Sequence, residues 1–266
     1  MAHARAEPGV APPVTAAIAP LSSIFRLVVA YDGTEYRGWQ IQAAGHTVQG
    51  LLTDAARRFD PHARVTGASR TDAGVHALGQ TASLRTDAAL SCDAVRRALN
   101  AVLPGDVRVL DVREAPAGFD ARRAATGKRY AYLIDNGAVA SPLLARYAWH
   151  VPRALDADAM RRALAPLHGL HDFGAFCAAP GRGKSPTCRV RALHVLRRRE
   201  RVVVLLSADR FLHRMARNIV GSAVAVGRGA RDDAWLAAVL AGGNRQLAGP
   251  TAPAHGLTLV RVLYPR

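Results

Sequence analysis

The stretch GASRTDAGVHALGQ, residues 67–80, places charged side chains between small residues. Arg70 precedes Asp72 by two positions, Gly74 follows it by two, and His76 follows it by four. A carboxylate in such a stretch can bind a metal, act as a base or act as a nucleophile, although Thr-Asp-Ala-Gly is also an ordinary turn sequence. Metal binding is disfavoured because the flanking residues offer only His76 as a further ligand.

Outward from this loop, the pattern of apolar residues predicts two successive sets of strands and helices. The first set has strands at 24–33, 79–86 and 107–115 and helices at 47–59 and 91–103, with Thr47 and Ser91 as N-caps. The second set has strands at 127–137 and 256–264, two strands joined by a basic turn within 188–209, and helices at 155–169 (interrupted near Pro166), 211–229 and 232–243.

This order predicts an α+β fold of two ferredoxin-like or RRM-like halves, each a largely antiparallel sheet backed by helices. We expect the halves at 24–115 and 127–266, with their sheets meeting at a central basic cleft. Residues 1–23 are rich in Ala and Pro and are expected to form a mobile tail.

The charge of the chain points to a polyanionic partner. Lys and Arg number 36 against 20 acidic residues, a net charge of +16, and 34 of the 36 cations are Arg. Codon preference explains Arg over Lys but not cations over acids, so nucleic acid is the favoured partner. Three scattered cysteines favour a reducing compartment, the cytoplasm. No apolar run approaches the roughly 18 residues of a membrane span, so no membrane association is expected.

One cluster invites a metal interpretation. The segment HGLHDF, residues 168–173, holds His168, His171 and Asp172, which together could ligate a metal. No further His-Asp pair in the sequence completes such a site, so a polar helix end is the favoured interpretation.

The string RTDAGVHA, residues 70–77, resembles the active-site motif of the tRNA pseudouridine synthase A family. The resemblance continues over nearly the whole chain after the tail. It includes YDGTEYRGWQIQ (31–42), GKRYAYLI (127–134), DFGAFC (172–177), FLHRMARNIVG (211–221) and TAPAHGLTL (251–259).

The resemblance implies a pseudouridine-synthase fold and an isomerase that needs no cofactor and no metal. The family detaches uracil from C1′ of a uridine in tRNA, turns the base and rejoins it through C5, at positions 38, 39 and 40 of the anticodon stem-loop. It works as a homodimer, with tRNA lying across both subunits. Asp72 matches the essential aspartate, a nucleophile that adds to C1′ or to C6 or instead stabilises charge at C1′.

The resemblance also assigns three substrate-binding residues. Arg217 matches the basic partner of the aspartate, and Arg70 matches a residue associated with the flipped-out base. Tyr130 is expected to stack on the uracil, or to move the C5 proton through its hydroxyl, or only to fill the core. His76 is expected to contact RNA or only to brace the loop.

The departures from the family pattern are small. Ser69 stands where glycine is often found, Ala216 replaces a usual valine, and Arg214 is more basic than usual.

Two other functions remain open from the sequence. A non-catalytic RNA-binding protein would bind RNA whether or not Asp72 is intact. A metal-dependent hydrolase built on His168, His171 and Asp172 would lose its activity to a chelator.

Overall fold

The computed structural model describes residues 23–178 and 185–265. The expected tail at 1–23 lies outside this part of the chain, apart from Ser23, which begins the first strand. Within the described part, no helix has the length and apolar character needed to cross a membrane.

The first half of the chain contributes four strands and two helices. They are β1 (Ser23–Tyr31), α1 (Val48–Arg57), β2 (Arg64–Gly67), β3 (His76–Thr86), α2 (Cys92–Val102) and β4 (Val107–Glu114). The described residues of the second half contribute six strands and three helices: β5 (Gly127–Asp135), β6 (Trp149–His150), α3 (Ala157–Leu164), β7 (Gly169–Asp172), β8 (Thr187–Arg198), β9 (Arg201–Ala208), α4 (Met215–Gly227), α5 (Trp235–Gly242) and β10 (Leu257–Leu263).

Within the described residues the ten strands form one continuous sheet in the order β4-β1-β3-β10-β5-β9-β8-β7. Strand β2 pairs with β3, and β6 pairs with β5. The sheet is largely antiparallel, which confirms the α+β architecture. The sheets of the two halves meet where β3 pairs in parallel with β10, at Thr258 opposite His76 and Leu259 opposite Ala77.

This seam between the halves brings two backbones unusually close together. A Cβ atom at Gly79 would lie 2.6 Å from the carbonyl oxygen of Val260, so only glycine fits there without a backbone shift. Strand β10 lies in the middle of the sheet and joins the two halves.

The helix starts follow from local chemistry. The Thr47 hydroxyl accepts a hydrogen bond from the Gly50 amide, and the Ser91 hydroxyl accepts one from the Ala94 amide. Both N-caps confirm the sequence prediction. The break near Pro166 is also confirmed, because α3 ends at Leu164 and a 3-10 turn follows.

Helix α4 starts later than predicted. The sequence predicts a helix over 211–229, but Arg214 adopts the left-handed conformation (φ 60°), and the helix begins at Met215. A second prediction is wrong at 168–172, where a polar helix end was expected. Gly169 has φ +107°, and Gly169–Asp172 forms a short strand paired with β8.

The helices cover one face of the sheet and leave the other partly open. On β5, Tyr132 and Ile134 are completely buried, while Ala131 and Leu133, which alternate with them, remain partly exposed. Two cross-strand rows continue this partly exposed surface, which we call the open sheet face: Leu133, Val203 and Leu196 in one row, and Ala131, Leu205 and His194 in the other. Five of the six side chains in these rows are apolar.

Candidate active site

The loop between β2 and β3 is held rigidly against the β1–α1 connection. The Thr71 hydroxyl lies 2.8 Å from the Tyr31 hydroxyl, and the Trp39 amide donates to the Thr71 carbonyl at 3.1 Å. Gly38 has φ +88°, and a Cβ there would lie 2.4 Å from that same carbonyl oxygen. These contacts fix the backbone on either side of Asp72 and set the direction of its carboxylate.

Asp72 faces Arg217 of α4, 145 residues away along the chain. Arg217 donates from Nη1 to Asp72 Oδ2 at 2.8 Å and from Nε to the Ala252 carbonyl at 2.8 Å. Side-chain exposure is 14% for Arg217 and 28% for Asp72, so the pair is shielded but reachable from solvent. The guanidinium is fixed on both sides, and it orients the carboxylate.

The second oxygen of the carboxylate faces His213. His213 Nε2 lies 3.9 Å from Asp72 Oδ1, and the His213 side chain is 46% exposed. The two oxygens therefore have different surroundings: Oδ2 is bound by Arg217, whereas Oδ1 faces an accessible imidazole.

Tyr130 lies close to this pair on β5. Its hydroxyl is 3.0 Å from the Ser69 hydroxyl, and its ring packs edge-on against Phe211, with centroids 4.9 Å apart. Burial raises the pKa of Tyr130 to about 12, with a further contribution from the negative charge of Asp72. The residue is only 5% exposed, so its ring is covered, in part by Phe211.

Arg70 projects outward from a rigid base. The neighbouring Ser69 donates its amide hydrogen to the Gln80 side-chain oxygen, and Gln80 in turn donates to the Ser69 carbonyl at 2.7 Å. Gln80 is completely buried, while Arg70 is exposed. An exposed cation on a fixed loop beside Asp72 is suited to contact RNA.

His76 is buried and braces the loop. The Gly33 amide donates to Nδ1 at 2.9 Å, and Nε2 lies 2.9 Å from the Arg146 carbonyl oxygen and 3.1 Å from the His255 carbonyl oxygen. The residue therefore links the first half to two segments of the second. Of the two sequence interpretations, the geometry favours the brace.

Further positive charge lies beside Tyr130. Lys128, two positions earlier on the same strand, is partly buried, and burial together with the nearby Arg122 lowers its pKa. The shift reflects incomplete hydration of the ammonium group and like-charge repulsion, so an anion placed there would be stabilised.

The histidines of the metal interpretation are engaged elsewhere. His168 Nε2 lies 3.0 Å from the Arg191 carbonyl, and His171 Nε2 lies 2.8 Å from the His168 carbonyl. Across residues 23–178 and 185–265, no group of three or more His, Cys, Asp or Glu side chains is arranged to hold a metal ion.

The structure thus brings Asp72, Arg217 and Tyr130 together and places Arg70 on the same loop as Asp72. Sequence reasoning did not single out His213, and no local pattern points to it. His213 precedes the left-handed Arg214 and lies outside α4, so its approach to Asp72 is set by the tertiary fold.

The chain belongs to the tRNA pseudouridine synthase family, whose model matches residues 27–122 and 163–265. Among individual relatives, it is 47% identical over 244 residues to tRNA pseudouridine synthase A of Methylobacterium nodulans, covering 91% of this chain and 96% of the relative. It is 42% identical over 246 residues to tRNA pseudouridine synthase A 1 of Desulfotalea psychrophila, covering 90% and 98%.

Among solved structures, a Cbf5-Nop10-Gar1 complex aligns with a TM-score of 0.35 and 13% identity, covering 75% of this chain and 45% of the matched chain.

Proposed function

We propose that this protein isomerises uridine to pseudouridine in tRNA, at positions 38, 39 and 40 of the anticodon stem-loop, without a cofactor. The supporting observation is the Asp72 carboxylate, fixed by Arg217 through one oxygen and open through the other. Membership of the tRNA pseudouridine synthase family supplies the reaction class and the RNA substrate.

Asp72 acts as the essential nucleophile in this proposal. Arg217 orients the carboxylate through Oδ2 and leaves Oδ1 to approach the nucleotide. Addition to C1′ or to C6, or stabilisation of positive charge at C1′ while the glycosidic bond breaks, all use this oxygen. The shielded position of the pair strengthens its electrostatic effect, because little water screens the developing charge.

Arg70 and Tyr130 hold the substrate in this proposal. The target base must leave its stack before a carboxylate can reach C1′, at a cost of a few kcal/mol. Arg70, exposed beside Asp72, is placed to occupy the position that the base leaves in the RNA. Tyr130 forms the wall against which the detached uracil rests, with Phe211 moving aside to uncover the ring.

The positive charge of the chain supports RNA as its partner. A chain with a net charge of +16 gains affinity for RNA by releasing counterions from phosphates, and this binding offsets the cost of unstacking.

We also propose a homodimer formed through the open sheet face, because pairing two copies would bury its apolar rows, with tRNA lying across both subunits. Light scattering on the purified protein should then give twice the chain mass. Leu196→Asp should shift it to the monomer. A monomeric wild-type protein at micromolar concentration would exclude this dimer.

The cytoplasm is the compartment we propose, since Cys92, Cys177 and Cys188 are all free thiols. Fractionation of the source cells with an antibody to the protein tests this. Recovery outside the cytoplasmic fraction would count against it.

The main experiment incubates purified protein with an unmodified tRNA transcript in the absence of added metal and cofactor. Site-resolved detection of pseudouridine should show conversion in the anticodon stem-loop and none with Asp72→Asn. A wild-type protein that binds the transcript but converts no uridine would leave only the RNA-binding alternative.

A further inference from the structure

The geometry around Asp72 gives one residue a position that the proposed roles do not use. His213 Nε2 lies 3.9 Å from Oδ1, the oxygen that Arg217 leaves free. A nucleotide that reaches Oδ1 must therefore also come close to the imidazole, which is 46% exposed.

The backbone holds His213 there at an energetic cost. Arg214, the next residue, has φ 60° and ψ 9°, the left-handed region that non-glycine residues rarely adopt. The turn is held on both sides, because the Ala178 amide donates to the His213 carbonyl at 3.0 Å and the Met215 amide donates to the Leu212 carbonyl at 3.1 Å. Strained residues that the surroundings enforce in this way are concentrated at functional sites.

The reaction also needs a group that accepts a proton. When C5 of uracil bonds to C1′, its hydrogen must leave as a proton. Tyr130 is poorly suited to accept it, because its pKa of about 12 keeps the phenol protonated at neutral pH and its hydroxyl is within hydrogen-bonding distance of Ser69. A neutral imidazole has a free lone pair at that pH and is the commonest general base in enzymes.

We propose that His213 is a second catalytic residue, the general base that removes the proton from C5 of the rejoined uracil. The inference rests on the proposed isomerase function and deepens it. The N1–C1′ bond has already broken and the C5–C1′ bond has formed when Nε2 takes the C5 proton. The electron pair of the C–H bond returns to the ring, and N1 gains a proton, so the overall change is an isomerisation with no net loss of hydrogen.

The position of His213 beside Asp72 supports this proton transfer. Once C1′ is bonded to C5, Asp72 is again a free carboxylate, and its Oδ1 faces the imidazolium that has just formed. Two opposite charges at this separation attract each other.

The test uses the full-length protein, a tRNA transcript and a second transcript carrying deuterium at C5 of uridine. His213→Gln keeps a polar side chain of similar size but removes the base. We expect its single-turnover rate to fall by about 100-fold, the lower range for loss of a general base. The variant should also show a C5 isotope effect larger than that of the wild type, with tRNA affinity unchanged.

His213→Ala gives a second, independent readout. Added imidazole should restore part of its turnover in proportion to the imidazole concentration, which a purely structural loss would not allow. The matched control is His62→Gln, at an exposed histidine on the loop between α1 and β2, which should leave rate and isotope effect unchanged.

Two results would overturn the proposal. One is wild-type turnover in His213→Gln; the other is a loss of rate with an unchanged C5 isotope effect and no rescue by imidazole. Failure of the proposed function itself looks different, because the wild-type protein would then form no pseudouridine at all.

Discussion

Replacing Arg217 by Lys isolates the role of guanidinium geometry from that of positive charge. Arg217 uses two different nitrogens, one toward Asp72 and one toward the Ala252 carbonyl, each at 2.8 Å. A lysine ammonium retains the charge but cannot keep both contacts in the same geometry, so the carboxylate loses its fixed direction.

The size of the effect follows from the bonds that are lost. A hydrogen bond to a charged group contributes about 1.5–3 kcal/mol, and exposures of 14% and 28% leave little water to replace it. If one such bond is lost in the transition state, the rate falls by about 10- to 150-fold. Affinity for tRNA should change by less than about threefold, because the charge that attracts phosphate remains.

The assay measures single-turnover formation of pseudouridine with enzyme in excess, and tRNA affinity at one fixed salt concentration. The matched control is Arg162→Lys, which alters an Arg–Asp pair on the surface. Arg162 Nε lies 2.7 Å from Asp233 Oδ2, but the two side chains are 60% and 42% exposed. Surface pairs contribute about 0–1 kcal/mol to stability, so this control should react at the wild-type rate. A wild-type rate in Arg217→Lys would refute the reasoning that the guanidinium orients the nucleophile.

Asp72→Asn should abolish pseudouridine formation, measured by site-resolved detection, while changing tRNA affinity less than about threefold. Residual turnover in a clean preparation would contradict the role of the carboxylate. Incubation with a chelator should leave the rate unchanged, whereas loss of activity restored by a metal would favour the hydrolase alternative. The pKa of Tyr130, about 12 in the folded state, lies above that of a tyrosine in an unfolded chain, so the contribution of this phenol to stability is complete below about pH 10 and is lost as pH rises toward 12. Urea unfolding at about pH 9 and pH 11 should therefore show that Tyr130→Phe loses less stability between the two pH values than the wild type does. An equal loss of stability would be inconsistent with this. Gly221→Ala should destabilise the protein by about 1–3 kcal/mol in urea unfolding, because the alanine Cβ would lie 1.8 Å from the Pro250 carbonyl oxygen and force a backbone shift that outweighs the better helix propensity of Ala. An unchanged urea midpoint would argue against so close an approach of the two backbones.

The local elements could be predicted because their signals are local. Thr47 and Ser91 mark helix starts through side-chain oxygens that accept from amides three residues ahead. The start of α4 could not be predicted in this way, because a left-handed Arg214 is enforced by contacts at Ala178 and not by its own preference. Short strands such as β2 and β6 also lack a signal, since two to four residues do not establish a period.

The site was predictable only in part, and for a similar reason. The resemblance names Arg217 as the basic partner of Asp72, but it gives no physical reason for their contact, which spans 145 residues and depends on how the halves join. That join rests on the short parallel pairing of β3 with β10, which no local pattern encodes. The proximity of His213 to the second carboxylate oxygen follows from the same join and could be found only from the structure.

The central position of β10 also bears on when the protein becomes active during its synthesis. A ribosome that has made residues 23–114 has already produced Asp72 with its loop and strands, but neither Arg217 nor the strand that joins the halves. In the nascent polypeptide, Asp72 therefore lacks Arg217 and the joining strand until the second half has been made. Translation thus delays RNA modification by this molecule until almost all of the chain described here has been made.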